Sequence, residues 1–227
     1  MAEPGNNPER ASRILDAAAR LIVHYGFDKT TMGEIAAAAG ISKGAIYLHW
    51  PSKDELFAAL LLREMQDFSR EWIERVMADP NGGKLGAMFL HSLDVLARRP
   101  LLRALVSSDR RVLGDFLQRY DPSLFARRMT LNQDFIRLLQ AAGAVRADVD
   151  PQTIGYILAC LRYGYLLLPD LAPPEHTPPV EAVIEALADF LERALAPAGG
   201  GDSEAGKQIV RQLMAGVMQQ WEQGKLA

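Results

Sequence analysis

Between Glu34 and Asp54 the chain carries no acidic residue, yet this interval holds Lys43, Tyr47, His49 and Lys53. An ammonium group, a phenol and an imidazole are all hydrogen-bond donors, and donors gathered without an acid suit an anionic partner such as a phosphate. Lys43 and Tyr47 are four apart, so on a helix they share a face. Gly44 and Ala45, lying between them, are small enough to let that face come close to its partner. Thr31 adds a hydroxyl upstream, and Gly33 adds no side chain at all. Taken singly, each residue has a plainer reading. Lys43 and Lys53 could be solvated lysines, Tyr47 a half-buried aromatic, and His49 beside Trp50 a satisfied core histidine. Only their joint occurrence, in register with a turn, points to phosphate.

The elements that must position these residues are legible. Thr31-Met32-Gly33-Glu34 has the capping-box pattern and starts a helix through Ile35, Ala36 and Ala39. Gly40 supplies a turn with positive φ, Ile41 closes it, and Ser42 caps a short helix carrying Ile46. Ile35, Ala36, Ile41 and Ile46 face inward, so Lys43, Gly44, Ala45 and Tyr47 face out. Residues 31–50 therefore read as a helix-turn-helix. Ahead of it, Asn7-Pro8 opens a helix whose apolar stripe is Ile14, Ala17, Ala18, Leu21 and Ile22, with Gly26 as its stop. After it, Ser52-Lys53-Asp54-Glu55 is a second capping box. It opens a long helix that ends at Pro80-Asn81-Gly82-Gly83.

The segment from about Pro8 to Phe68 resembles the DNA-binding domain of the TetR family of bacterial transcriptional regulators. The residues that carry the resemblance are Ile14, Ala17, Ala18, Gly26, Thr30-Thr31, Ile35-Ala36, Ala39-Gly40-Ile41-Ser42, Lys43-Gly44, Ile46-Tyr47, His49-Trp50 and Lys53-Asp54-Glu55-Leu56. The resemblance implies that Thr31, His49 and Lys53 contact phosphates and that Lys43, Gly44, Ala45 and Tyr47 form the recognition surface. Gly33 stands where other members often carry a base-reading side chain. It also implies an all-α protein: an N-terminal three-helix helix-turn-helix domain at 8–68, then a larger helical ligand-binding and dimerisation domain at 69–196. A flexible linker is expected at 197–206, by its Pro-Ala-Gly-Gly-Gly composition, and an extra amphipathic helix at 207–224.

The remaining sequence supports this reading more loosely. A hydrophobic share of 49% with 23% charged residues argues against disorder, and the abundance of alanine and leucine argues for helix. The net charge of −3 counts against a generally basic nucleic-acid binder but leaves a local basic face open. A single cysteine, Cys160, excludes an intrachain disulfide; its apolar surroundings predict a buried, inert thiol. No apolar run is long enough for a membrane span, and the N-terminus has no signal core, so a cytoplasmic protein is expected. No catalytic motif, phosphate-cradling loop or metal-ligand spacing is found. The chain is therefore expected not to be an enzyme and to need no cofactor or metal.

The resemblance further implies a homodimer formed as a four-helix bundle by two apolar helices, 151–168 and 180–195, although their stripes alone would equally build a monomer core. Trp72, Phe89, Leu93, Phe116, Tyr120, Phe135, Tyr156, Cys160 and Tyr163 are the candidate lining of a pocket for an unidentified apolar or aromatic effector. Arg162, among apolar neighbours, is expected to pair with an acid across the dimer interface, with an anionic ligand as the alternative. The function this predicts is a repressor released from palindromic double-stranded operator DNA by that effector. The alternatives are a regulator controlled by a protein partner on the last helix, and a small-molecule binding protein or enzyme with a vestigial helix-turn-helix.

Overall fold

The computed structural model describes residues 8–116, 133–171 and 173–222. Among them the regular structure is helical, and no strand occurs. The helices are α1 (Pro8–Tyr25), α2 (Met32–Ala38), α3 (Lys43–Tyr47), α4 (Lys53–Ala78), α5 (Leu85–Ala97), α6 (Pro100–Ser107) and α7 (Arg110–Leu113). They are followed by α8 (133–141), α9 (Pro151–Leu171), α10 (Val180–Leu195) and α11 (Ser203–Glu222). A short 3-10 turn, Pro174–His176, lies in the Pro-rich loop. No helix among the described residues is long and apolar enough to cross a membrane.

The chain divides into two compact units, and the division is not a single cut near 68–69. Described residues up to Asp67 and those from Arg99 to Phe116 form the first; Phe68 to Arg98 and the described residues from 133 onward form the second. Helices α6 and α7 thus belong with the N-terminal helices. The reason is a set of contacts at the α1–α2 turn. Phe27 N–H donates to Val112 O at 2.8 Å, and Asp115 N–H donates to the Asp28 carboxylate at 3.1 Å. Leu101, Val112, Leu113 and Phe116 complete an apolar core with Ile14, Ile22, Phe27, Ile35, Ile46, Phe57 and Leu60.

The second unit has its own core. It contains Val76 of α4, Met88, Phe89 and Leu93 of α5, Ile136 and Leu139 of α8, Ile154 and Leu158 of α9, Leu191 and Leu195 of α10, and Val210 and Met214 of α11. Gly86 permits a close approach of α5 and α10, since a Cβ there would lie 3.1 Å from Ala188 O. α9 is capped by Asp150, whose carboxylate accepts from Thr153 N–H at 2.9 Å. It runs past Pro169 to Leu171, beyond its expected end. α11 likewise starts earlier than expected, at Ser203. Asp202 caps it, accepting from Ala205 N–H at 3.0 Å, so part of the segment read as linker is helix.

Candidate nucleic-acid interface

The helix-turn-helix is built by local hydrogen bonds as its sequence indicates. Thr31 Oγ1 accepts from Glu34 N–H at 3.2 Å, and Thr31 N–H donates back to Glu34 Oε2 at 2.8 Å, closing the capping box. Thr31 Oγ1 also donates to the same carboxylate at 2.8 Å. These two donors from Thr31, the hydroxyl first, hold the Glu34 carboxyl below its ordinary range. Gly40 makes the turn at φ +69, a left-handed conformation that costs an L side chain about 1–2 kcal/mol. Ser42 Oγ then accepts from Ala45 N–H at 3.2 Å and starts α3.

This scaffold sorts the residues of α3 into two sets. Ile46 is fully buried against Ile35, Ala36 and Phe57, and Ile41 and Trp50 flank it, partly buried. Lys43, Gly44, Tyr47 and Leu48 are exposed, and Ala45 is half-exposed. Tyr47 is 44% exposed and Leu48 75% exposed, a large apolar side chain in water at the end of a short helix. A Cβ added to Gly44 meets nothing within 4 Å, and one added to Gly33 meets only Thr31 Oγ1 at 3.9 Å, so both glycines open onto free space. The His49 ring lies 5.6 Å from the Trp50 ring and is half-buried. The result is a thin outer face bearing one lysine, one tyrosine and small residues. Leu48, Ala37 and Ala38 were not singled out from the sequence, but they are exposed on or beside it. The available signal was that Ile46 and Trp50 point inward, which leaves Leu48 outside.

Lys53 has a different setting. Its Nζ donates to Phe27 O at 2.7 Å and Thr30 O at 3.0 Å, and it lies 4.2 Å from the centre of the Phe27 ring. The ammonium is thus committed to the carbonyls of the α1–α2 turn and the face of an aromatic ring. Lys53, expected at a phosphate, is half-buried and joins the first turn of α4 to that turn.

The pocket candidates separate. Trp72, Phe89, Leu93 and Phe135 share the second core; Trp72 Nε1–H donates to Met88 O at 2.9 Å, and its ring centre is 6.4 Å from that of Phe135. Tyr163 is half-buried on α9. Phe116 is corrected: it is fully buried in the first unit, with ring centres 4.6 Å from Phe57 and 5.3 Å from Phe27. Tyr156 and Cys160 are corrected too, since both are exposed on α9. They lie one helical turn apart on the side turned away from Ile154 and Leu158, so the thiol read as buried faces solvent. Tyr120 and the pair Arg127-Arg128 fall outside the described residues. Arg110 and Arg111 are exposed, within 4.0 Å of Asp115 and 3.6 Å of Asp109 respectively. The Arg162 guanidinium lies 5.9 Å from the centre of the Phe89 ring, and burial pushes it below its ordinary value.

α9 and α10 also show an uncovered apolar face. Tyr156, Ile157, Leu168 and Leu171 are exposed on α9, and Phe190 is exposed on α10. Ala182 and Ala186 precede Phe190 at intervals of four and are exposed as well.

The chain is 30% identical to an HTH-type transcriptional repressor of Mycobacterium tuberculosis, over 82% of this chain and 94% of that one. It is also 30% identical to the HTH-type transcriptional repressor AcnR of Corynebacterium jeikeium, over 84% and 94% of the two chains. The model of the bacterial regulatory proteins of the TetR family matches residues 14–60, from the stripe of α1 to the buried face of α4. The chain belongs to the TetR family. It is a DNA-binding transcriptional regulator, and its helix-turn-helix is the family's DNA-binding module. Among solved structures, the TetR-type fold of this chain matches the regulator FadR of Bacillus subtilis, solved with stearoyl-CoA. The TM-score is 0.60 at 16% identity, covering 79% of this chain and 96% of that one.

Proposed function

We propose that this TetR-family regulator is a repressor that binds a palindromic operator as a homodimer and is released by a small apolar or aromatic effector. The observation that carries this reading is the exposed Lys43–Tyr47 face of α3 over a buried Ile46 anchor. Placed in the major groove, Lys43 donates to phosphate or to a base-edge acceptor, and Tyr47 and Leu48 flank it. Thr31 and His49 meet the backbone on either side. Gly33, Gly44 and Ala45 keep the surface thin, so that base choice rests on few side chains and on DNA shape. Lys53 acts indirectly, by fixing the α1–α2 turn.

Pairing α9 and α10 with their symmetry mates would cover Tyr156, Leu168, Leu171 and Phe190 in a four-helix arrangement. The effector would enter the second unit among Trp72, Phe89, Leu93, Phe135 and Tyr163, and its binding would displace α4. Such a ligand changes the operator equilibrium only through unequal affinity for the two positions of that helix. The repressors from Mycobacterium tuberculosis and Corynebacterium jeikeium support the repressor assignment, and the stearoyl-CoA bound by the Bacillus subtilis protein fits a largely apolar effector site. A partner protein on α11 is disfavoured, because Val210 and Met214 are already buried in the second core.

The test is footprinting on the DNA flanking the gene for this chain, repeated with a metabolite panel. The expected result is an inverted repeat with half-site centres about 34–36 Å apart, or a multiple of that spacing. Protection should fall on adding one of the metabolites. Protection of a single unrepeated site would contradict the dimer, and none at all would contradict the operator.

A further inference from the structure

The last helix does more than cover the second core. Its first turn is built onto the corner between α4 and α5. Ser203 Oγ donates to Pro80 O at 2.8 Å and accepts from Gly83 N–H at 3.1 Å. Backbone meets backbone there. A Cβ on Gly83 would lie 1.7 Å from Ser203 O, and one on Gly206 would lie 2.0 Å from Gly83 O, closer than any real side chain sits. Gly82 repeats the pattern against α4 itself, with a Cβ 2.0 Å from Val76 O. Lys207, only 5% exposed, pairs with Glu204 at 3.3 Å. Its charge also acts on Asp79, which follows α4 and whose carboxylate accepts a hydrogen bond from His91 Nε2 of α5 at 2.9 Å. One turn further on, Val210 and Met214 enter the core beside Val76 and Met88. Besides the contacts that α4 makes with α5, from Trp72 to Met88 O and from Arg75 to Asp94, the corner that ends α4 is therefore held by α11 through backbone, polar, charged and apolar contacts.

We propose that α11 is a positioning element for α4. Seated, it fixes one end of the helix whose other end packs through Leu56, Phe57 and Leu60 into the core of the DNA-binding unit. A fixed α4 reduces the ordering cost of operator binding, as preorganisation does for any complex. This rests on the reading that α4 links the effector to the operator.

The experiment uses the full chain with Gly206→Ala, which forces α11 off Gly83, and Ser203→Ala, which removes two hydrogen bonds at lower risk to folding. Gly216→Ala is the control, since nothing lies within 4 Å of a Cβ there. Hydrogen exchange is followed in α4 and α11, and operator affinity is measured on a duplex selected by the wild-type protein from a random pool. In Gly206→Ala, amides of residues 68–78 should exchange about tenfold faster or more, and operator affinity should fall about five- to tenfold. Amides of α1 to α3 should stay protected, and Gly216→Ala should match the wild type. Should Gly206→Ala fail to fold, Ser203→Ala is read in the same way. Fast exchange in α11 with α4 and affinity unchanged would reduce α11 to a cover and overturn the proposal. Unchanged exchange in α11 itself would overturn it as well. If the wild-type protein selects no duplex, the operator reading fails, and α4 exchange alone decides whether α11 positions that helix.

Discussion

Lys43 is exposed on α3, whereas the Lys53 ammonium is held by Phe27 O, Thr30 O and the Phe27 ring. Their removal should therefore read out differently. Lys43→Ala should weaken operator binding and make the log–log salt dependence shallower by about 0.9 per protomer, with melting unchanged. Lys53→Met should lower the unfolding free energy by about 1.5–3 kcal/mol in a denaturant titration, because it strips a charged donor from buried carbonyls. Its salt slope, measured well below melting, should match the wild type; a slope reduced like that of Lys43→Ala would return Lys53 to the phosphates. The exposure of Lys43 was legible in the sequence because a position on a capped short helix is a local property. The setting of Lys53 was not, since the carbonyls it meets lie 26 and 23 residues upstream. Phe116 was placed in the wrong unit for the same reason: its partners Phe27 and Phe57 are distant in the chain.

At the scale of elements, the turn between α2 and α3 rests on a single conformational requirement. Gly40 has φ +69, and a Cβ there meets nothing within 4 Å. Gly40→Ala should therefore cost only the left-handed penalty, about 1–2 kcal/mol of stability, with no steric addition. A much larger loss would mean that the turn is crowded by contacts the structure lacks. The corner beyond α4 gives a pH dependence. Burial alone would raise the Asp79 carboxyl, but the Asn81 N–H, the His91 hydrogen bond and the charges of His91 and Lys207 outweigh it, so it is held below its ordinary value. A carboxyl lowered in the folded state adds stability above its unfolded value of about 3.9, and that stability is lost as pH falls through the folded value. Asp79→Asn should lower the melting temperature at pH 7, and the difference from wild type should shrink as both are titrated toward pH 2. The elements from α1 to α5 were legible because capping boxes, Gly40 and the Pro80–Gly83 breaker are short-range signals. The start of α11 was missed because the cap at Asp202 sits within a glycine-rich composition that reads as linker.

For the whole molecule, the account requires a dimer, since one α3 presents a single exposed lysine. Phe190, 60% exposed on α10, lies in the middle of the proposed contact. Phe190→Glu should give a monomer in sedimentation, with helix content retained and operator affinity lower by about a hundredfold or more, since one half-site interaction is lost. A dimer that persisted would move the interface elsewhere. Sequence patterning showed that α9 and α10 were apolar, but a stripe reads the same whether it is covered within the protomer or by a partner. The exposure of Tyr156, Cys160 and Leu168 shows that this part of α9 is not covered within the protomer. The central claim is that the α3 face reads DNA, and the most direct measurement is the affinity of the intact protein for its own flanking DNA, wild type against Tyr47→Ala and Lys43→Ala, with circular dichroism on the same samples. The account predicts salt-sensitive, sequence-specific binding by the wild type, weakened about tenfold or more in each variant while helix content and melting hold. Equal affinity in all three folded proteins would contradict it.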